Sequence, residues 1–87
     1  MTSKDYIFEN PKAALALEAV AQGKKFFSDI KAYIEAGLGV NAVLATEARE
    51  IIDELIKRGL IKPFHNIPNI YVVTDEGKEL VKEGSQN

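Results

Sequence analysis

Side chains that could bind a polyanion such as a nucleic-acid backbone recur along this 87-residue chain. Lysine and arginine neutralise phosphate charge, whereas threonine, asparagine and histidine can hydrogen-bond to phosphates or base edges. A helix N-terminus adds free backbone amides that attract a phosphate. These rules single out nine candidate nucleic-acid contacts: Lys24, Lys25, Ser28, Lys31, Asn41, Thr46, Arg49, Lys62 and His65.

The expected roles of these candidates differ. Thr46 and Arg49 stand near the start of a predicted helix and are expected to reach base edges, with Asn41 on the backbone or on a base. Lys62 and His65 are expected to contact phosphates. Each residue also has an ordinary alternative, because lysines commonly solvate a surface and a threonine at this place can simply cap the helix.

Other reaction chemistry is sparse. The chain has no cysteine and a single histidine, which leaves no disulfide, thiolate metal site or cysteine nucleophile. Acidic residues on one predicted helix alternate with basic residues on a convex surface, which is typical of a solvated face and not of a metal site. These carboxylates are Glu47, Glu50, Asp53 and Glu54. We expect no enzyme activity, no metal and no cofactor.

Composition indicates one small domain whose overall charge does not favour DNA. Eleven basic and thirteen acidic residues give a net charge of -2, and the pI is near 5.4. A DNA-binding domain usually has a basic face, so here that charge must be local. Apolar runs fall short of the roughly 18 residues that span a bilayer, and the absence of cysteine fits a reducing compartment. We expect a cytoplasmic protein without membrane contact.

The first half of the chain predicts an arm followed by an apolar helix. Residues 1–10 mix charges with aromatic side chains and are interpreted as the arm. Asn10 and Pro11 are typical of a helix start. The helix over residues 11–22 is apolar on nearly its whole circumference, so it is either central in the domain or covered by a second copy.

A short strand and a second helix come next. Residues 24–27 are too few for a helix and predict a strand that could pair with a later hairpin. Ser28 is expected to cap the second helix, over residues 29–36, and Gly37 to end it.

The start of the third helix has two interpretations. Asn41 could cap a helix from Ala42, which would place Val43 on the polar side, whereas a start near Thr46 makes residues 42–45 a separate turn. Apolar residues at helical spacing then predict a buried face: Ala45, Ala48, Ile51, Ile52, Leu55 and Ile56.

The opposite face of the third helix is slightly acidic. Residues 46–58 carry three basic and four acidic side chains, a local charge of -1. Carboxylates are repelled between the phosphate strands of a major groove. Three opposite-charge pairs four residues apart are each worth a few tenths of a kcal/mol: Arg49–Asp53, Asp53–Lys57 and Glu54–Arg58.

The order of elements after residue 45 predicts the fold. The long helix is closed by Gly59, β-type runs over residues 60–65 and 69–74 flank a turn, and another helix begins at Thr74. This order is typical of a winged helix-turn-helix. We therefore expect an α+β, mainly α fold with a three-helix core, a short first strand, a two-stranded wing and a short C-terminal helix. The expected bounds are 1–10 for the arm, 11–83 for the winged-helix domain and 84–87 for a disordered tail.

Two segments resemble the MarR-type and PadR-type winged-helix regulators. Residues 51–61, Ile-Ile-Asp-Glu-Leu-Ile-Lys-Arg-Gly-Leu-Ile, resemble a recognition helix entering the first wing strand, and residues 71–80 are similar to the corner after the wing. The resemblance covers residues 26–81. It implies a homodimeric transcription regulator with the recognition helix in the major groove of duplex DNA. The long turn between helices two and three, and a wing tip without arginine or lysine, depart from that pattern.

Two functions therefore remain open from the sequence. The first is a DNA-binding homodimer whose subunits join through the arm, the first helix or the C-terminal helix; the expected interface residues are Tyr6, Phe8, Leu15 and Leu17. The second is a winged-helix module for protein–protein interaction without DNA binding, which the acidic third helix favours.

Overall fold

The computed structural model describes residues 2–84, which form five α-helices and a two-stranded antiparallel sheet. In chain order the elements are α1 (Ser3–Glu9), α2 (Pro11–Ala21), α3 (Phe27–Leu38), α4 (Ala45–Lys57), β1 (Ile61–Pro63), a 3₁₀ turn (Phe64–Asn66), β2 (Tyr71–Val73) and α5 (Asp75–Gly84). The predicted α+β class with mainly helical content is confirmed. Within these residues, every helix is too short or too polar to cross a membrane.

Helix α2 forms the centre of the core, which agrees with its apolar circumference. The helices α1, α3, α4 and α5 and strand β2 all pack against it. The small side chains of α2 allow this close packing. Gly37 of α3 also contributes to it, because a Cβ at that position would lie only 2.8 Å from Leu15 Cδ1 of α2. The buried residues of α2 are Ala13, Ala16, Leu17, Ala19 and Val20.

Strands β1 and β2 form a hairpin that also pairs with the segment before α3. Across the hairpin the register is Ile61↔Val73, Lys62↔Val72 and Pro63↔Tyr71. On the other side of the second strand, Phe26 forms an isolated bridge with Ile70, and Tyr71 N donates to Lys25 O at 2.9 Å. The strand predicted over residues 24–27 thus meets the hairpin, but it is a single bridge because the chain turns into α3 immediately afterwards.

A corner of hydrogen bonds joins the end of α4 to the start of α5. Thr74 Oγ1 donates to Gly59 O at 2.6 Å and accepts from Gly77 N at 3.1 Å. Thr74 N also donates to Leu60 O at 3.1 Å. Gly59 has a φ of 76°, in the left-handed region that favours glycine after a helix. Thr74 therefore caps α5 and holds it against the chain leaving α4.

Both ends of the chain differ from the prediction. Residues 3–9 form helix α1 and not an arm, because Thr2 Oγ1 accepts from Asp5 N at 3.1 Å and caps the helix. Ile7 then packs into the core and is only 5% exposed. At the other end, Gly84 belongs to α5 and not to a tail, and residues 85–87 of the predicted tail lie outside the described residues.

Two predicted capping side chains do not cap. Helix α3 begins at Phe27, one residue before Ser28, and has no side-chain cap. It passes through Gly37 and ends one residue later than that, before Gly39. Asn10 precedes α2, but its Nδ2 donates to Tyr6 O at 2.7 Å, so its side chain is used by the preceding helix.

The third predicted helix, α4, begins at Ala45, close to the later of the two expected starts. Asn41 is no cap: it has a φ of 63°, and its backbone N–H donates to Glu35 Oε2 at 3.1 Å. Ala45 is exposed although it was predicted in the core. The buried face of the helix starts with Ala48, and Val43 of the preceding turn fills the core ahead of it at 1% exposed.

Gly77→Ala is expected to lower the free energy of unfolding by about 2 kcal/mol or more. The added Cβ would collide with Leu60 O and would lie 2.7 Å from Val73 Cγ2. Urea denaturation followed by circular dichroism measures the effect. Gly84→Ala in the same helix is the control, since its Cβ would meet only Phe8 Cε1 at 4.0 Å. Equal stability of the two variants would contradict the close packing of the corner.

Candidate functional site

Arg49 connects α4 to the start of α3 and to the hairpin. Its Nη1 donates to Asn69 Oδ1 at 2.9 Å, and its guanidinium carbon lies 4.5 Å from the centroid of the Phe27 ring. Phe27 N in turn donates to Asn69 O at 3.2 Å. Arg49 remains exposed, and a guanidinium has five N–H donors, so it is both fixed in position and able to bind a further group.

A second group of candidate residues surrounds the ring of Phe64. Lys25 Nζ lies 5.2 Å from the centroid of this ring, and the His65 ring stands edge-on to it at 4.2 Å between centroids. A shallow groove of about 450 Å³ runs beside them. It is lined by Lys62, Pro63, Phe64, His65, Asn66 and Val72. The structure thus brings Lys25, Lys62 and His65 together.

The segments that build this region contain no carboxylate. Residues 22–28 and 59–74 supply the bridge and the hairpin, and they hold Lys24, Lys25, Lys62 and His65 but none of the thirteen acidic residues. We call the surface formed by these two segments the basic surface. Its positive charge is local, because the chain as a whole has a net charge of -2.

Two of the four carboxylates on α4 are neutralised by cations. Lys12 Nζ on α2 donates to both carboxylate oxygens of Glu47, at 3.0 and 2.9 Å. This hydrogen bond holds the pKa of Glu47 below its usual value. Arg58 Nε donates to Glu54 Oε2 at 2.7 Å, which confirms one predicted i,i+4 pair.

The outer face of α4 is therefore neutral and not acidic. Its exposed charges are Arg49 and Lys57 against Glu50 and Asp53, two of each sign. Among the described residues, Asp53 makes neither of its two predicted i,i+4 ion pairs. Arg49 is directed to the hairpin instead, which explains the loss of one of those pairs.

The remaining candidates are less well placed. Lys31 Nζ lies 3.3 Å from Glu35 Oε1, and Asn41 N donates to the other carboxylate oxygen, so both are tied to a residue about 12 Å along α3 from its start. Ser28 and Thr46 are exposed in the first turns of their helices. The start of α3 suits a phosphate less than expected, because Asp29 lies in its first turn.

The four residues predicted at a dimer interface have different surroundings. Leu17 is 1% exposed and lies in the core, where its own chain covers almost all of it. Leu15 packs against the helix carrying Gly37. Tyr6 lies under Arg58, with the guanidinium carbon 4.4 Å from its ring centroid. Phe8 remains 54% exposed and is available to a partner.

Several contacts of this region were not among the sequence-based candidates. Lys12 and Glu47 are 35 positions apart, and Arg49 and Asn69 are 20 apart. No local spacing rule connects such positions. The only sequence signal was Asn69 itself, a turn-forming residue after Pro68, and it carries a left-handed φ of 65°.

Comparison of the chain with protein-family models, curated proteins and solved structures finds no match. The resemblance to MarR-type and PadR-type regulators therefore rests on the residues quoted for it. The structure shows in addition that the basic surface is connected to α4 through the hydrogen bond between Arg49 and Asn69.

Glu47→Gln is expected to destabilise the protein at neutral pH and to lose that effect at a pH acid enough to protonate the Glu47 carboxylate in the folded state. Because Lys12 lowers the pKa of Glu47 in the folded state, the stabilisation is present above the unfolded pKa and is lost as the pH falls through the folded value. Thermal unfolding at both pH values measures this. Glu50→Gln is the control, because Glu50 is an exposed carboxylate of α4 without an ion pair among the described residues, and it should change the stability little. A Glu47→Gln effect equal at both pH values would argue against the ion pair.

Proposed function

We propose that this chain is a small winged-helix protein that binds duplex DNA as a homodimer and regulates transcription. The order α2, the Phe26 bridge, α3, α4 and the hairpin fits this fold, with α4 as the recognition helix and the hairpin as the wing. The observation that carries the proposal is the basic surface: two segments joined by backbone pairing that hold three lysines and no carboxylate.

The first half of α4 supplies the base-reading part of the proposal. Thr46 and Arg49 are exposed there, and arginine commonly binds guanine with two parallel hydrogen bonds in the major groove. Contact with Asn69 and Phe27 already restricts the Arg49 side chain. A restricted side chain loses less entropy when it binds, so this arrangement suits specific contact.

The basic surface supplies the phosphate-binding part. Lys24, Lys25 and Lys62 are exposed, and each contact with a phosphate releases counterions from DNA. Three such contacts per protomer, six in the homodimer, give a slope of about -5 for log affinity against log salt. Binding of this strength is electrostatic and weakens steeply as salt is added.

Glu50 and Asp53 limit how α4 can enter a groove. Both are exposed, and neither is neutralised by an ion pair within the described residues. Carboxylates on this face are repelled by phosphates unless they accept from cytosine amino groups. We therefore expect the N-terminal half of the helix to enter first, with its second half tilted away from the DNA.

Homodimer formation is assigned to the side of the molecule where α1, α2 and α5 meet. A groove of about 380 Å³ lies between these helices, and Phe8 at its edge is 54% exposed. Groove residues include Pro11 and Leu80. A second copy of the chain would cover Phe8 and would place two basic surfaces in one assembly.

A second candidate function is a protein-binding module without DNA affinity. One observation favours it: large apolar side chains are exposed in the loop between α3 and α4, where Val40 is 88% and Leu44 is 67% exposed. Burying such side chains against an apolar partner surface would be energetically favourable, and exposed apolar patches often mark protein-binding sites. The unneutralised carboxylates Glu50 and Asp53 lie on the helix that follows this loop.

Arg49→Ala and Lys25→Ala are each expected to weaken binding to a labelled duplex by about fivefold or more. Fluorescence anisotropy over a salt series measures the affinity and its slope. Lys78→Ala, an exposed lysine of α5 outside the basic surface, changes the net charge equally and should bind like the wild type. If no duplex is bound even at low salt, DNA binding is excluded and the protein-binding module is favoured.

Phe8→Glu is expected to convert the homodimer to a folded monomer, because it places a charge on a half-exposed apolar contact. Analytical ultracentrifugation of the wild type and the variant measures the mass. Val40→Glu is the matched control: it is a more exposed apolar-to-acidic change in the loop before α4 and should leave the dimer intact. A monomeric wild type at high concentration would reject the homodimer.

A further inference from the structure

The small sheet has one face in the core and one in solvent. Tyr71 is 6% exposed and belongs to the core face. Because successive strand residues alternate between faces, its neighbours Ile70 and Val72 belong to the outer face. Cross-strand partners share a face, so Lys62 opposite Val72 and Phe26 opposite Ile70 also lie on the outer face.

Phe26 is the most exposed apolar side chain of this outer face. It is 53% exposed, whereas the next residue, Phe27, packs against the core. A second aromatic ring is close by along the sheet, because Phe64 N donates to Ile70 O at 2.8 Å, which places Ile70 between Phe26 and Phe64. Lys25 Nζ lies 5.2 Å from the Phe64 ring. The outer face therefore combines exposed aromatic surface with cations.

The chemistry of this face indicates the partner. Aromatic rings stack on nucleobases, and neighbouring lysines follow the phosphates of a single strand. No carboxylate lies in the segments that form this face, so an anionic partner is favoured over an apolar protein surface. In a fully paired duplex the faces of the bases are already stacked on one another. An exposed ring finds a base to stack on only where bases are unpaired.

We infer that the outer sheet face binds unpaired bases, with Phe26 stacking on a base and Lys25 and Lys62 on the adjoining phosphates. The protein then prefers DNA that contains an unpaired segment to the same DNA fully paired. This inference rests on the proposed DNA-binding function and specifies the form of DNA that the basic surface selects. The groove beside Lys62 has a volume of about 450 Å³, which lies within the range of clefts that bind small molecules.

The test compares a labelled, fully paired duplex with the same duplex carrying a central run of unpaired bases. Anisotropy titrations at one low salt concentration are expected to show at least about fivefold tighter binding to the second DNA. Phe26→Ala should remove that preference and leave the affinity for paired duplex within about twofold. Phe26→Tyr, which keeps an aromatic ring, should retain the preference. Thermal unfolding of each variant shows that the fold is kept.

Leu38→Ala is the control, because Leu38 is a large apolar residue of comparable exposure, 45%, that lies at the end of α3 and outside the dimer groove. It should leave the ratio of the two affinities unchanged. Equal binding of both DNAs by the wild type overturns the inference and leaves the proposed function standing. A preference that persists in Phe26→Ala overturns the assignment to this face. Absence of binding to either DNA overturns the proposed function together with the inference.

Discussion

The packing of α2 against five other elements is the constraint on which the structure depends. Such contact is possible because α2 is rich in alanine, whose small side chains let the neighbouring elements approach the α2 backbone closely. With α2 at the centre, an 87-residue chain can bury a continuous core without a long helix or a large sheet. The positions of α3 and α4 follow from this packing, and the hairpin is then held between them by Asn69 and the Phe26 bridge.

Charge is distributed unevenly over this scaffold. Acidic residues are spread over the helices, whereas the hairpin and the segment paired with it have none. Lys12 and Arg58 also remove two carboxylate charges from α4 by pairing with Glu47 and Glu54. The net charge of -2 therefore conceals a positive region next to a neutral helix face. Average composition is a poor guide to partners when charges of opposite sign are separated in this way.

Sequence reasoning was most successful where the signal is local. The end of α4 just before Gly59 and the start of α5 just after Thr74 both depend on residues adjacent in the chain. It failed for α1, because Thr2 and Asp5 form a cap within a segment too short to show an apolar period. It also missed the long-range contacts of Lys12 and Asn69, since only the folded backbone brings such residues together. The burial of Leu17 could not be predicted, because an all-apolar helix gives no indication of which side faces its own core.

Asn69 has a consequence for the way this protein can change. Its backbone oxygen accepts a hydrogen bond from Phe27 N, and its side-chain oxygen accepts one from Arg49 Nη1. One loop residue therefore sets both the position of the hairpin and the direction of the Arg49 side chain. Substitutions at positions 49 and 69 are then non-additive, because the first change removes the contact that the second would alter. A different side chain at position 49 of α4 would therefore require a compensating change at position 69 of the loop. Positions 49 and 69 are therefore expected to change together during evolution, although 20 positions separate Arg49 from Asn69 in the chain.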